Sequence, residues 1–222
     1  MPAALPVFTR GKGPDAVASY DWLDLTSGAG YKRFYPCQAQ RSGAVDKVLS
    51  GKLFDGVPTY NTIQVTNATP AQLWLDYDFD IEMKVPSIIS GEATLNMTHR
   101  MSGSSATSGG TFYILINYYH VSTVPAETLI GTVTGANRVK PEAQDSYYWR
   151  ECVKATLTYT KFAIGEKLRV NIQGWGFRSA AGLIYMYHYY DPASKLTVTD
   201  NISAQTVGTD AIVDIPFKID LT

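Results

Sequence analysis

The clearest pattern in the chain is a strict alternation of apolar and charged residues between positions 75 and 85. Leu75, Tyr77, Phe79, Ile81, Met83 and Val85 fall on one parity, and Asp76, Asp78, Asp80, Glu82 and Lys84 fall on the other. Successive side chains of a strand point to opposite faces, so this spacing predicts a half-buried antiparallel strand. A helix would scatter the same apolar positions around its circumference. The C-terminus repeats the pattern, with Val213, Ile215, Phe217, Ile219 and Leu221 alternating with Asp214, Pro216, Lys218 and Asp220. Pro216 has no amide hydrogen to give to a ladder, which predicts an edge position or a local interruption there.

Further runs rich in β-branched and aromatic residues predict strands at 59–66, 92–101, 111–121, 128–134, 146–160, 166–175, 183–190 and 195–199. Turn-forming stretches separate them, among them SGSSATSGG at 102–110, GANRVKPEAQDS at 135–146 and GFRSAAG at 176–182. No segment combines helical length with a sustained 3.6-residue period and caps. The expected fold is all-β: an antiparallel β-sandwich, jelly-roll-like, forming a single domain over residues 31–222. Residues 1–30 differ, with Pro2, Pro6 and Pro14 and no clean alternation. They nevertheless carry Phe8, Tyr20, Trp22 and Leu23, more aromatic content than a disordered tail has. Two readings stay open for this extended arm: it lies across its own domain, or it orders against a neighbouring subunit.

Composition changes the picture in one respect. Only 18% of the 222 residues are charged and the net charge is -1, against about 25% charge in an average domain. Such a surface favours association. The balance of 19 basic and 20 acidic residues excludes a polycationic nucleic-acid binder, and no membrane partner is expected. Cys37 and Cys152 are too few for a disulfide framework or a four-ligand zinc site, and they read as reduced thiols of a chain assembled in cytoplasm.

Candidate chemistry is sparse. His99, His120 and His188 lie several elements apart and read as structural residues, without metal-ligand spacing. No G-x-S-x-G elbow or phosphate-binding loop is present, and neither cysteine has an activating context. Asp76, Asp78, Asp80 and Glu82 share one strand face, neighbours about 6.5–7 Å apart. That face reads as one paired with Lys and Arg of a neighbouring strand; calcium binding and carboxylate catalysis are the alternatives it leaves open. The expectation is no enzyme, no cofactor and no resident metal.

The segments YDWLDLTSGAGYKRFY near the N-terminus, and EKLRVNIQGWGF, LIYMYHYYDP and DIPFKIDL near the C-terminus, resemble structural proteins of tailed-bacteriophage heads. The resemblance is best over 20–35 and 166–221. It implies a capsid decoration or cement protein of jelly-roll type, often a homotrimer, stabilising an icosahedral head through contacts with itself and with a major capsid protein. Localisation in the virion follows from the same resemblance. The candidate interface residues are Phe8, Arg10, Tyr20, Trp22, Tyr31 and Phe34. The alternative is a carbohydrate-binding sandwich of receptor-binding or adhesin type, with Trp175 and Tyr185 stacking on sugar rings.

Overall fold

The computed structural model describes residues 29–41, 44–52, 60–66, 70–103, 109–124, 126–142, 144–179, 182–190 and 196–219. In chain order the strands are β1 (Ala29–Arg41), β2 (Ala44–Ser50), β3 (Tyr60–Val65), β4 (Gln72–Glu82), β5 (Ser87–Gly103), β6 (Gly110–Val121) and β7 (Glu127–Thr134). They continue with β8 (Arg138–Lys140), β9 (Ser146–Phe162), β10 (Lys167–Arg178), β11 (Ile184–Tyr189), β12 (Thr197–Thr199), β13 (Thr206–Gly208) and β14 (Ala211–Ile219). Among the described residues there is no helix.

These strands build an all-β sandwich. In one sheet β5 pairs with β9 along one edge and with β14 and β11 along the other, and β11 continues to β3. The second runs β2–β4–β10–β6–β7, with β8 also on β6. Strand β1 belongs to both: Ala29–Phe34 pair with β14 and Tyr35–Arg41 with β2. The switch falls between Phe34 and Tyr35, next to Pro36, which has no N–H to give to a ladder. At the other side β7 and β9 close the sandwich, Thr158 Oγ1 donating to the Ile130 carbonyl at 3.2 Å. The pairing is antiparallel except for one parallel bridge between β2 and β4, at Val48 and Asp80, which corrects the purely antiparallel expectation.

The core forms where the alternating apolar residues of β4 and β14 meet those of the strands around them. Leu75 and Phe79 of β4, Ile114 and Ile116 of β6, and Val170 and Ile172 of β10 are all at most 2% exposed. Across from them stand Leu95 of β5, Leu157 of β9 and Val213 of β14. Pro216 resolves as an interruption: β14 lies between β5 and β1, and its register with β5 shifts between Asp214 and Phe217. Sheet contact is closest at Gly176 of β10, where a Cβ would stand 2.5 Å from the Thr111 carbonyl oxygen and collide with Met186 Cε. Met186 has rotamers to yield with, but the Thr111 backbone is held in the β6–β10 ladder. Gly176→Ala is therefore expected to cost about 2 kcal/mol, read as a lowered urea midpoint; an unchanged midpoint would refute this packing.

One polar island interrupts the core. His99 of β5 and His188 of β11 are directly paired across strands, 0% exposed, with ring centroids 4.9 Å apart. None of their four ring nitrogens has a hydrogen-bond partner. Phe112, Trp149 and Tyr77 pack around them, and His188 Nε2 faces Gly174 of β10. Burial pushes the His188 pKa down to about 3, and burial first, then the neighbouring His188 and the charges of Arg138 and Arg150, carry His99 well below its ordinary value.

Candidate functional site

Three turns meet at one end of the sandwich. The chain leaves β4 at Glu82 and turns through 83–86 into β5; 122–126 joins β6 to β7, and 163–166 joins β9 to β10. Two backbone bonds lock the first and third turns together, Met83 N to the Glu166 carbonyl at 2.8 Å and Gly165 N to the Met83 carbonyl at 2.9 Å. Gly165 has φ +87°, a conformation glycine adopts without strain, and a Cβ there would touch Thr123 of the middle turn. Glu166 fastens the assembly, accepting from Ala163 N and meeting His120 Nε2 at 2.8 Å. The Ala163 bond, then the His120 contact, holds its carboxyl below the usual range.

The tips of these locked turns are apolar and face water. Val85 is 56% exposed, Val124 79% and Ile164 62%. Val85 shares the inward parity of its strand, but β4 ends three residues earlier and the turn swings its side chain out. Covering each tip would contribute roughly 1–2 kcal/mol. Ala29 lies in a row with Lys218 of β14, Ile88 of β5 and Lys161 of β9, one to two residues from the turns.

The residues singled out by sequence scatter. Phe8, Arg10, Tyr20 and Trp22 lie outside the described residues. Tyr31 is 44% exposed on β1, opposite Pro216 of β14, and remains a surface candidate. Phe34 is 4% exposed and packs in the core, so it is removed from the interface set. Trp175 and Tyr185 occupy different sheets and form no common site. Trp175 stacks on Tyr113, with ring centroids 6.3 Å apart, and gives its indole N–H to Gln173.

The acidic face of β4 is paired across strands, as its pattern suggested. Arg169 of β10 binds Asp80 through two bonds of 2.7 and 2.9 Å and reaches Asp78 at 3.1 Å, while Asn171 donates to both Asp76 and Asp78. Those carboxylates raise the Arg169 pKa, the Asp80 hydrogen bonds most. Among the described residues no three His, Cys, Asp or Glu converge as metal ligands. Cys37 is buried and Cys152 exposed, and neither forms a disulfide. The turn tips themselves were missed. Their signal was present as single apolar residues beside turn formers, in KVPS, STVPAE and FAIGE.

No family model and no curated protein matches the chain. Among solved structures it is similar to an aminopeptidase from a marine sediment archaeon (Thaumarchaeota archaeon), at 8% identity and TM-score 0.48, over 86% of this chain and 37% of that one. It is similar to a CocE/NonD family hydrolase from Staphylococcus aureus at 9% identity and TM-score 0.37, over 83% and 40%. A third match, at 9% identity and TM-score 0.16, is the infectious bursal disease virus VP2 subviral particle, over 83% and 47%. The chain spans less than half the length of each. Because the first two are hydrolases, the expectation that the chain is no enzyme is withdrawn. Likeness this distant assigns no reaction to the chain.

Proposed function

We propose that this chain is a structural protein of a virus particle, a decoration or cement protein of an icosahedral head that packs against copies of itself and against a major capsid protein. The carrying observation is the apolar end: Val85, Val124 and Ile164 stand on three adjoining turns, the first and third of them bonded to each other. Rigid turns present their side chains without an ordering cost on association, which suits a repeated contact between subunits. A homotrimer or other closed symmetric oligomer would bring several such ends together and cover them. The low charge fraction of 18% fits the same reading.

Sedimentation of the purified protein tests it. The expected result is a defined oligomer that binds capsid shells lacking this protein. Val124→Asp and Ile164→Asp would weaken oligomer and shell binding at least about tenfold while leaving the urea midpoint near that of the parent, because both side chains lie outside the core. A protein that stays monomeric at high concentration and does not co-sediment with shells would overturn the reading.

A further inference from the structure

The outward side chains of the β9–β5–β11–β3 sheet form a grid away from the apolar end. One row aligns Tyr148, Arg100, Tyr187 and Thr62; the next aligns Ser146, Ser102, Tyr185 and Gln64. The inward neighbours His99 and Met101 are fully buried, so parity places Arg100 on the outer face, where it is half-buried. Its guanidinium carbon lies 5.3 Å from the Tyr148 ring centroid and 4.8 Å from that of Tyr187. One terminal nitrogen donates to Ser102 Oγ at 3.0 Å and Ser146 Oγ at 2.8 Å.

What the arginine lacks is a counter-charge. Arg33, Arg138, Arg150 and Arg169 each have a carboxylate, from Asp214, Glu151, Asp210 and Asp80 respectively. Arg100 has none among the described residues, and its Nε is buried without an acceptor. A partly desolvated cation whose hydrogen bonds go to neutral hydroxyls gains more from an incoming anion than an exposed or paired one does. The turn of the β12–β13 hairpin is bonded to the β9 backbone beside this floor: Tyr148 N donates to Asn201 Oδ1 and Asn201 N to the Tyr148 carbonyl. The Asp200 carboxylate beside Asn201 is engaged by the amides of Arg150, Ile202 and Ser203.

We propose that this face binds a carboxylate-bearing saccharide, Arg100 taking the carboxylate while Tyr185, Thr62 and Gln64 receive the sugar ring and its hydroxyls. A half-exposed tyrosine ring suits the C–H face of a pyranose, and hydroxyl and amide groups suit its O–H groups. The site is independent of the apolar end and stands or falls separately from subunit assembly.

Amide chemical shifts of the isotope-labelled full chain test it, with glucuronic acid and N-acetylneuraminic acid as probes and glucose and sodium acetate as comparators. The expected result is that both acidic sugars shift Arg100, Ser102, Ser146 and Tyr185, and bind about tenfold or more tighter than glucose or acetate. Arg100→Gln should abolish the preference over glucose, and Tyr185→Ala should weaken both acidic sugars about threefold or more. Tyr185 is half-exposed, so its variant remains informative if Arg100→Gln does not fold. Acetate binding as tightly as the sugars would reduce the site to an anion hole and overturn the proposal. So would acidic sugars that leave these amides unmoved, or affinities that neither substitution changes.

Discussion

The urea midpoint of this protein is expected to fall steeply as the pH is lowered from 6.5 to 4.5. His99 and His188 are neutral and unpartnered in the core, whereas in the unfolded chain they titrate near an ordinary value of about 6.5. Both folded pKa values are depressed, His188 to about 3. Below pH 6.5 the unfolded state therefore takes up protons that the folded state refuses, and stability present above 6.5 is lost progressively as the pH approaches the folded values. One pKa unit corresponds to about 1.4 kcal/mol, so His188 alone removes about 5 kcal/mol across its window, and the slope reaches about 2.7 kcal/mol per pH unit while both histidines contribute. That is comparable to the whole stability of many domains.

Other groups facing the pair do not offset this. Arg138 and Arg150 oppose a positive charge on His99, and Phe112, Trp149 and Tyr77 offer rings only. Glu166 and Asp200, whose carboxyls are held below their ordinary range, start to lose stability only nearer pH 4. Urea titrations followed by tryptophan fluorescence between pH 7.5 and 4.5 check the expectation, and His188→Leu should reduce the slope by about half. A midpoint that stays level over that range would mean that the imidazoles have acceptors after all.

Glu151→Ala is expected to cost about 3–5 kcal/mol, the largest effect of a single substitution outside the histidine pair. The Glu151 carboxylate is 4% exposed, accepts from Ala136 N at 2.7 Å and Trp149 Nε1 at 3.2 Å, and forms an ion pair with the Arg138 guanidinium at 3.6 Å. Truncation leaves the fully buried Trp149 indole N–H without an acceptor, at a cost of about 1–3 kcal/mol, and takes a partner from the Ala136 N–H and the part-buried Arg138 guanidinium as well. The Trp149 ring also stacks on His99, with centroids 5.2 Å apart, so loosening it reaches the polar island. Glu151→Gln keeps an oxygen for one or two of these donors and should cost about half as much. Thermal melts of both variants decide the matter; a Glu151→Ala protein within about 1 kcal/mol of the parent would show that the cluster does not carry the fold.

Strand content was readable because period-two alternation is a local property. The run 75–82 aligned as written, and so did the pairing of its acidic face with Arg169. Strands β1 and β2 were missed because β1 changes sheets between Phe34 and Tyr35, so neither of its halves shows one parity long enough to read. Phe34 was misassigned for the same reason: beside an extended arm its ring looked available, and only the β1–β14 pairing turns it inward. Val85 was misassigned in the opposite direction, extending a parity past the last residue of its strand.

By itself the sequence determined the class of fold, the inward parity of β4 and β14, and a surface short of charge. Those follow from side-chain alternation and composition, which need no knowledge of neighbours. Tertiary structure decided which residues meet. It set His99 against His188 across 89 residues of chain, gathered Val85, Val124 and Ile164 onto one end, and left Arg100 between two tyrosines without a carboxylate. Register and turn geometry fix such encounters, and both depend on long-range pairing that no local pattern encodes.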